Sequence, residues 1–289
     1  MTERWWRVPS RFDEWIGRTE TVEDLVTAWP VDALRATFDL SDPPARVGDA
    51  VPPMWHWLFF LSTTIRSQLG PDGHAQRGGF LPPVDLPRRM FAGGRTEFLA
   101  PLRIGQVARR TGTVVDIEEK EGRSGPLAFV TARFEVSTED GLAIVEEQDL
   151  VYREAATGSQ HPAPGNDPIP EAPWEQTIAP DSTMLFRFSA LTFNGHRIHY
   201  DHPYVTDVEG YPGLIVHGPM TALWLLGLGR SNDRRPVTMF SFRGRSPLFC
   251  NGPISLRGGP TDDASASMSA WSADRRLAMT AEVTFGSRG

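Results

Sequence analysis

The chain has 289 residues, 40% of them apolar, a formal net charge of −7 and one cysteine, Cys250. That length and apolar content suffice for one large core or two of ordinary size, and the acidic balance lacks the basic face or stripe that nucleic acid requires. A lone cysteine excludes an intramolecular disulfide and a cysteine-built zinc or iron–sulfur site, which suits a reducing compartment and predicts a cytoplasmic protein.

The opening stretch MTERWWRVPSRFDEW mixes charges with tryptophans and lacks the apolar run of a signal peptide. No window reaches the roughly 18 apolar residues of a membrane span, so no membrane association is expected. Residues 21–40 carry apolar side chains at helical intervals, with Pro30 dividing them into two short helices. A second helical candidate covers 54–61. From Arg95 the texture changes to alternating strand segments, RTEFLAPLRIGQVARRTGTVVDIEEKEG, LAFVTARFEVST and LAIVEEQDLVYRE, separated by turn signals at 122–125 and 139–141. An antiparallel meander is the natural reading.

Prolines 162, 164, 168, 170, 173 and 180 then interrupt a polar stretch, which predicts a linker over 156–180 between domains at 1–155 and 181–289. After it, 184–188 is predicted as a strand, 211–228 runs from a Pro-Gly turn into a long apolar segment, and strands follow at 238–243, 254–258, 266–273 and 277–284. Each half thus offers helices first and antiparallel strands after, the order expected of one α+β fold present twice.

Four of the seven histidines, His196, His199, His202 and His217, fall between residues 186 and 220. A histidine can take and return a proton near neutral pH, whereas the asparagine five residues before His199, Asn194, can only orient a water or donate an N–H. Downstream, His217-Gly218-Pro219 opens an apolar run. A free Gly218 N–H at a helix start would polarise a carbonyl oxygen. Base, positioned amide and oxyanion donor would then lie in one segment.

The pattern FSALTFNGHRIHYDHPY…EGYPGLIVHGPMTALWLL resembles the hydratase signature of MaoC-like double hotdog proteins, in particular the type 2 hydroxyacyl-thioester dehydratases and mesaconyl-C4-CoA hydratases. The segments DEWIGRTETVEDLVTAWPVDALRATFD, RRMFAGGRTEFLAPLRIGQ and EEQDLVYRE resemble the substrate-side hotdog of the same proteins. The resemblance implies a double hotdog, two antiparallel sheets each wrapped around a central helix and joined side by side, with the N-terminal hotdog non-catalytic. It also implies an acyl-CoA or acyl-carrier-protein thioester bound between the halves, hydrated or dehydrated without metal or redox cofactor; a double hotdog already forms a dimer-like unit within one chain, which leaves both a monomer and a homodimer open. The common pattern of that family has an aspartate five residues before the histidine and an asparagine three before it; this chain has Asn194 and His196 there.

On this reading His199 is the base, Asn194 holds the water or hydroxyl, and Gly218 stabilises the enolate-like oxygen. His196 is either a second site group or a loop-packing residue, and His202 is read as structural. The spacing of His196, His199 and His202 supplies no further ligand, so no metal site is predicted. Arg88, Arg89, Arg95, Arg103, Arg243 and Arg245 are candidates for CoA phosphates or, equally, solvated strand ends, with Arg95 and Arg243 put forward as substrate-binding. Trp55 and Trp57 are core residues that would also line an acyl tunnel. A hotdog thioesterase and a non-catalytic subunit of a lipid-synthesis complex are the alternative functions.

Overall fold

A computed structural model describes residues 11–122, 125–155, 160–166 and 168–287. The opening of the charged and aromatic N-terminal stretch and the tip of the turn predicted at 122–125 lie outside the described residues. Ten strands form one antiparallel sheet in the order β1-β3-β4-β5-β2-β7-β10-β9-β8-β6. The N-terminal half supplies β1 (Thr19–Leu25), β2 (Arg88–Phe98), β3 (Val107–Gly122), β4 (Gly125–Thr138) and β5 (Gly141–Arg153). The C-terminal half supplies β6 (Trp174–Ile178), β7 (Val237–Gly244), β8 (Ile254–Pro260), β9 (Ser265–Trp271) and β10 (Leu277–Phe285). The two sheets, expected side by side, are joined edge to edge into one continuous sheet where β2 pairs with β7 from Gly93↔Arg243 to Glu97↔Met239. Glycine is needed at this seam, because a Cβ on Gly93 would stand 2.5 Å from the Phe242 carbonyl oxygen.

The long apolar segment becomes α3 (Gly218–Asn232), with His217 as N-cap and Pro219 in its first turn, where a missing N–H costs nothing. Met220 to Leu226 are all buried, as a helix surrounded by sheet requires. It packs on all five C-terminal strands, β6 to β10. Among the described residues the N-terminal half has no counterpart of that length. Its second helical candidate is only a 3-10 turn, Trp55–Leu58, entered through Met54 at φ 69° and left through extended Phe59. Two prolines immediately before Met54 and aromatic side chains crowded within one turn leave no stretch long enough to propagate a helix.

Two further expectations are corrected. Residues 21–40 do not form two helices: Glu20, Val22 and Asp24 alternate inward as strand β1, and α1 (Ala28–Thr37) follows with Pro30 inside its first turn. The strand predicted at 184–188 is helix α2 (Ser182–Leu191), because Asp181 caps it by accepting the Met184 N–H at 2.7 Å, and Leu185, Phe188 and Ser189 then share a buried face. α1 packs on α2 across the halves. The proline-rich segment ends in β6, whose pairing with β8 ties residues 174–178 to the C-terminal sheet. One apolar cluster runs through both halves, from Val31, Leu34 and Trp55 to Leu225 and Val283, and a smaller one with Tyr152 at its base fills the far end of the β3–β4 hairpin. No helix among the described residues is long and apolar enough to cross a membrane.

Candidate active site

The signature loop follows α2 directly. Asn194 N–H bonds the Ser189 carbonyl at 2.8 Å and Phe193 N–H bonds that of Ala190 at 3.3 Å, the paired bonds that close a helix with a left-handed residue, here Phe193 at φ 48°. Asn194 Oδ1 then accepts the His196 backbone N–H at 3.0 Å. Its carbonyl oxygen therefore shapes the turn, and the amide nitrogen is the atom left to meet a ligand. Arg197 donates through Nε to Asp201 Oδ2 at 2.9 Å, and Asp201 Oδ1 accepts the Tyr204 N–H at 3.1 Å, starting the π-helical turn Tyr204–Val208. His202 is exposed and its ring is outside the cluster.

His199 is 6% exposed and its Nδ1 lies 2.7 Å from the Ile215 carbonyl oxygen. A carbonyl only accepts, so Nδ1 carries the proton and Nε2 keeps its lone pair. Its ring stacks on His217 with centroids 3.7 Å apart, and His217 Nε2 is 2.8 Å from Ser189 Oγ. Because His217 is the N-cap of α3, the stack brings the positive end of that helix, with the Gly218 N–H, beside His199. A Cβ built on Gly218 meets nothing within 4 Å, so the space on the side-chain side of its Cα is open.

On the other side of His199 stands His196 at a centroid distance of 5.4 Å, and beyond it His74 at 4.1 Å. His74 and Asp72 come from the N-terminal half. The result is a row of four imidazoles, His74–His196–His199–His217, bounded by a carboxylate at one end and a serine hydroxyl at the other. Burial lowers the pKa of His199 to about 4, against a partial upward effect of its bond to Ile215. Burial, then the neighbouring His74 and His199, lowers His196 to about 2. His217 is pushed well down by burial and His74 is also lowered by burial, although Asp72 pulls it back. All four are neutral near pH 7. Asp72 resists its own burial and stays ionised through its bonds from His74.

Arg89 acts electrostatically on both His74 and His196, and Tyr152 is its cross-strand partner. Among the described residues no carboxylate forms an ion pair with it, whereas the adjacent Arg88 is paired with Glu209 at 2.9 Å. The two arginines put forward from sequence lie elsewhere. Arg95 is engaged with Glu147 and Asp149 on the sheet surface. Arg243 lines a groove of about 740 Å³ with Arg245 and Arg257, and none of the histidines borders it. Trp55 is buried in the core, and Trp57 donates to the buried Glu146 at 2.9 Å while packing on Phe91 and Phe242. Trp57's ring neighbours are His56, Phe91 and Phe242, none of them in the histidine row. Of the sequence candidates the structure therefore unites His199, His196, Asn194 and Gly218. Asp72, His74 and Ser189 were missed; the only signal was a histidine in the polar, glycine-rich PDGHAQRGG.

One ligand-capable atom each from Asp72, His74 and His196 lie within 4.8 Å of one another, the set among the described residues able to surround a metal ion.

The profile of the hydroxyacyl-thioester dehydratase type 2 family matches residues 54–250. The mesaconyl-C(4)-CoA hydratase of Chloroflexus aurantiacus is 48% identical over 272 residues, covering 94% of this chain and 97% of that protein. The mitochondrial hydroxyacyl-thioester dehydratase type 2 of Schizosaccharomyces pombe is 26% identical over 266 residues, covering 81% and 88%. Among solved structures, HtdX of Mycobacterium tuberculosis superposes with a TM-score of 0.67 at 19% identity, over 93% of this chain and all of that one. Another M. tuberculosis protein, described as a double hotdog fold, gives a TM-score of 0.57 at 12% identity, over 93% and 98%. The fold is that double hotdog, and the chain belongs to the hydroxyacyl-thioester dehydratase type 2 family.

Proposed function

We propose that the protein is a hydro-lyase that adds water across the double bond of a 2-enoyl-CoA, or removes it in reverse, and that its substrate is a short acyl chain bearing a second carboxylate. The observation that carries the reading is His199, a buried neutral imidazole whose proton is committed to Ile215 and whose Nε2 is left bare beside the start of α3. In hydration, Nε2 takes a proton from water as the oxygen bonds to C3. The C2–C3 π pair moves onto the thioester oxygen, which the Gly218 N–H stabilises. The imidazolium so formed is a strong acid in its buried setting, with a pKa near 4, and returns the proton to C2.

The 48% identity to a mesaconyl-C(4)-CoA hydratase supports the dicarboxylyl substrate. In such a thioester the free carboxylate is bonded to the carbon that water attacks, so the group recognising it has to adjoin the base. Arg89 is the candidate for that role, its charge being felt at His74 and His196, the imidazoles next along the row from His199, with no carboxylate paired to it among the described residues. Arg243, Arg245 and Arg257 in their groove are candidates for the phosphates of CoA. The test follows enoyl-thioester absorbance with mesaconyl-C4-CoA, crotonyl-CoA and a longer enoyl-CoA. Preference for the first is expected. Thiol release with the enoyl chromophore intact would instead mark a thioesterase.

A further inference from the structure

The outer end of the histidine row is unused by the chemistry above. Residues 70–76 fold against the signature loop through backbone contacts that leave little freedom. The Arg197 N–H bonds the Asp72 carbonyl at 2.9 Å, the Arg197 guanidinium bonds that of Pro71 at 3.0 Å, and a Cβ on Gly73 would stand 1.9 Å from the Gly195 oxygen. Within that loop both oxygens of Asp72 serve His74: Oδ1 accepts its backbone N–H and Oδ2 its Nδ1–H, each at 3.0 Å. The carboxylate thus sets the tautomer of His74 as Ile215 sets that of His199, and His74 Nε2 is a bare acceptor on a half-buried ring 4.1 Å from His196.

We propose that His74, oriented by Asp72, is a second catalytic residue of the hydration, its Nε2 accepting one O–H of the attacking water while His199 Nε2 takes the other proton. The inference rests on the hydro-lyase reading. Bonds balance without an outside proton: oxygen joins C3, the π pair goes to the thioester oxygen, and one proton passes through His199 to C2. The other stays on the new hydroxyl, hydrogen-bonded to His74. Two acceptors aim the remaining lone pair at C3, which is how positioning accelerates an addition. The commoner pattern assigns the second acceptor to a carboxylate at the position of Asn194. Here that side chain's oxygen is occupied by His196 N–H, and the acceptor arrives instead from the other half of the chain. A metal ion fits the same atoms less well. Both Asp72 oxygens are taken by N–H donors of His74, and Arg77 and Arg89 act on His74 as cations.

The test is steady-state kinetics of His74→Ala, His74→Gln and Asp72→Asn beside wild type, on crotonyl- and mesaconyl-C4-CoA, with thermal midpoints measured in parallel. His74→Ala is expected to lower kcat by about 100-fold with KM changed less than about threefold, the scale of a lost acid–base partner. His74→Gln, which keeps an acceptor oxygen, is expected to recover about tenfold of that loss, a rescue that a purely packing role would not give. Asp72→Asn should lower kcat by about tenfold through loss of the tautomer. If His74→Ala folds poorly, the other two variants carry the test. Wild-type kcat in His74→Gln and Asp72→Asn, or in a folded His74→Ala, overturns the proposal. Loss of activity to a chelator with recovery on adding Zn²⁺ also overturns it, making the group a metal site. Absence of wild-type turnover on every enoyl-CoA overturns the hydro-lyase reading itself, and this proposal with it.

Discussion

Acidification should destabilise this protein well before its carboxylates are protonated. The pKa of His199 falls from 6.5 to about 4 and that of His196 from 6.5 to about 2 on folding, chiefly through burial. Between those folded values and 6.5 the unfolded chain binds more protons than the native one. Stability is therefore fully present above pH 6.5 and declines as pH falls, by about 1.4 kcal/mol per pH unit for each histidine. From pH 6.5 to 5 the two together remove about 4 kcal/mol, a large share of the roughly 5–15 kcal/mol of a folded domain. His217, depressed in the same direction, adds to the loss. The buried Glu146, lowered below 4.5 by His56, Gln148 and Trp57 against its own burial, contributes stability that is lost only on acidification below 4.5, outside that interval. Urea unfolding followed by tryptophan fluorescence at pH 7.5 and 5.0 should show the midpoint dropping by about 1–2 M. A His196→Gln variant should show a shallower pH dependence. Midpoints at the two pH values that agree within about 0.3 M would refute the reasoning.

Two further outcomes follow from single residues. Arg89→Met should lower kcat/KM for mesaconyl-C4-CoA by roughly 10- to 100-fold, the worth of a charge-assisted hydrogen bond, while crotonyl-CoA changes by less than about twofold. Equal losses on both substrates would show that Arg89 does not read the second carboxylate. Gly73→Ala places a Cβ against the Gly195 carbonyl at a residue with φ +88°, so the 70–76 loop must move off the signature loop. Activity should fall by about tenfold or more, with a thermal midpoint several degrees lower; a variant matching wild type in both would contradict the close approach.

What was legible in the sequence is the part written in local patterns. The strand texture from Arg95 onward and the four segments between 238 and 284 placed the long strands, and the apolar run after Pro219 placed α3. The FNGHRIHYD segment marked His199 and Asn194 because its members are neighbours along the chain. Misreadings arose where two periods compete. MLFRF is a short apolar run of strand length, and the Asp181 cap decides for helix. Likewise VEDLV follows helical intervals, but β3 offers it a ladder from Thr19↔Thr113 to Leu25↔Val107. The merging of two sheets into one depends on a seam of backbone bonds between β2 and β7, which side-chain patterns do not encode. Asp72 and His74 were invisible for the same reason, since they reach the site through Arg197 and Gly195, far along the chain, rather than through spacing.

The central claim is that His199 Nε2 moves the proton of hydration. Its most direct test is the loss of enoyl absorbance on mesaconyl-C4-CoA and crotonyl-CoA by wild type and by His199→Ala, with free thiol assayed in the same samples. The account predicts wild-type loss of absorbance without thiol release, and a rate in His199→Ala reduced by about 1000-fold at an unchanged far-ultraviolet circular dichroism spectrum. Turnover by His199→Ala near the wild-type rate would contradict it.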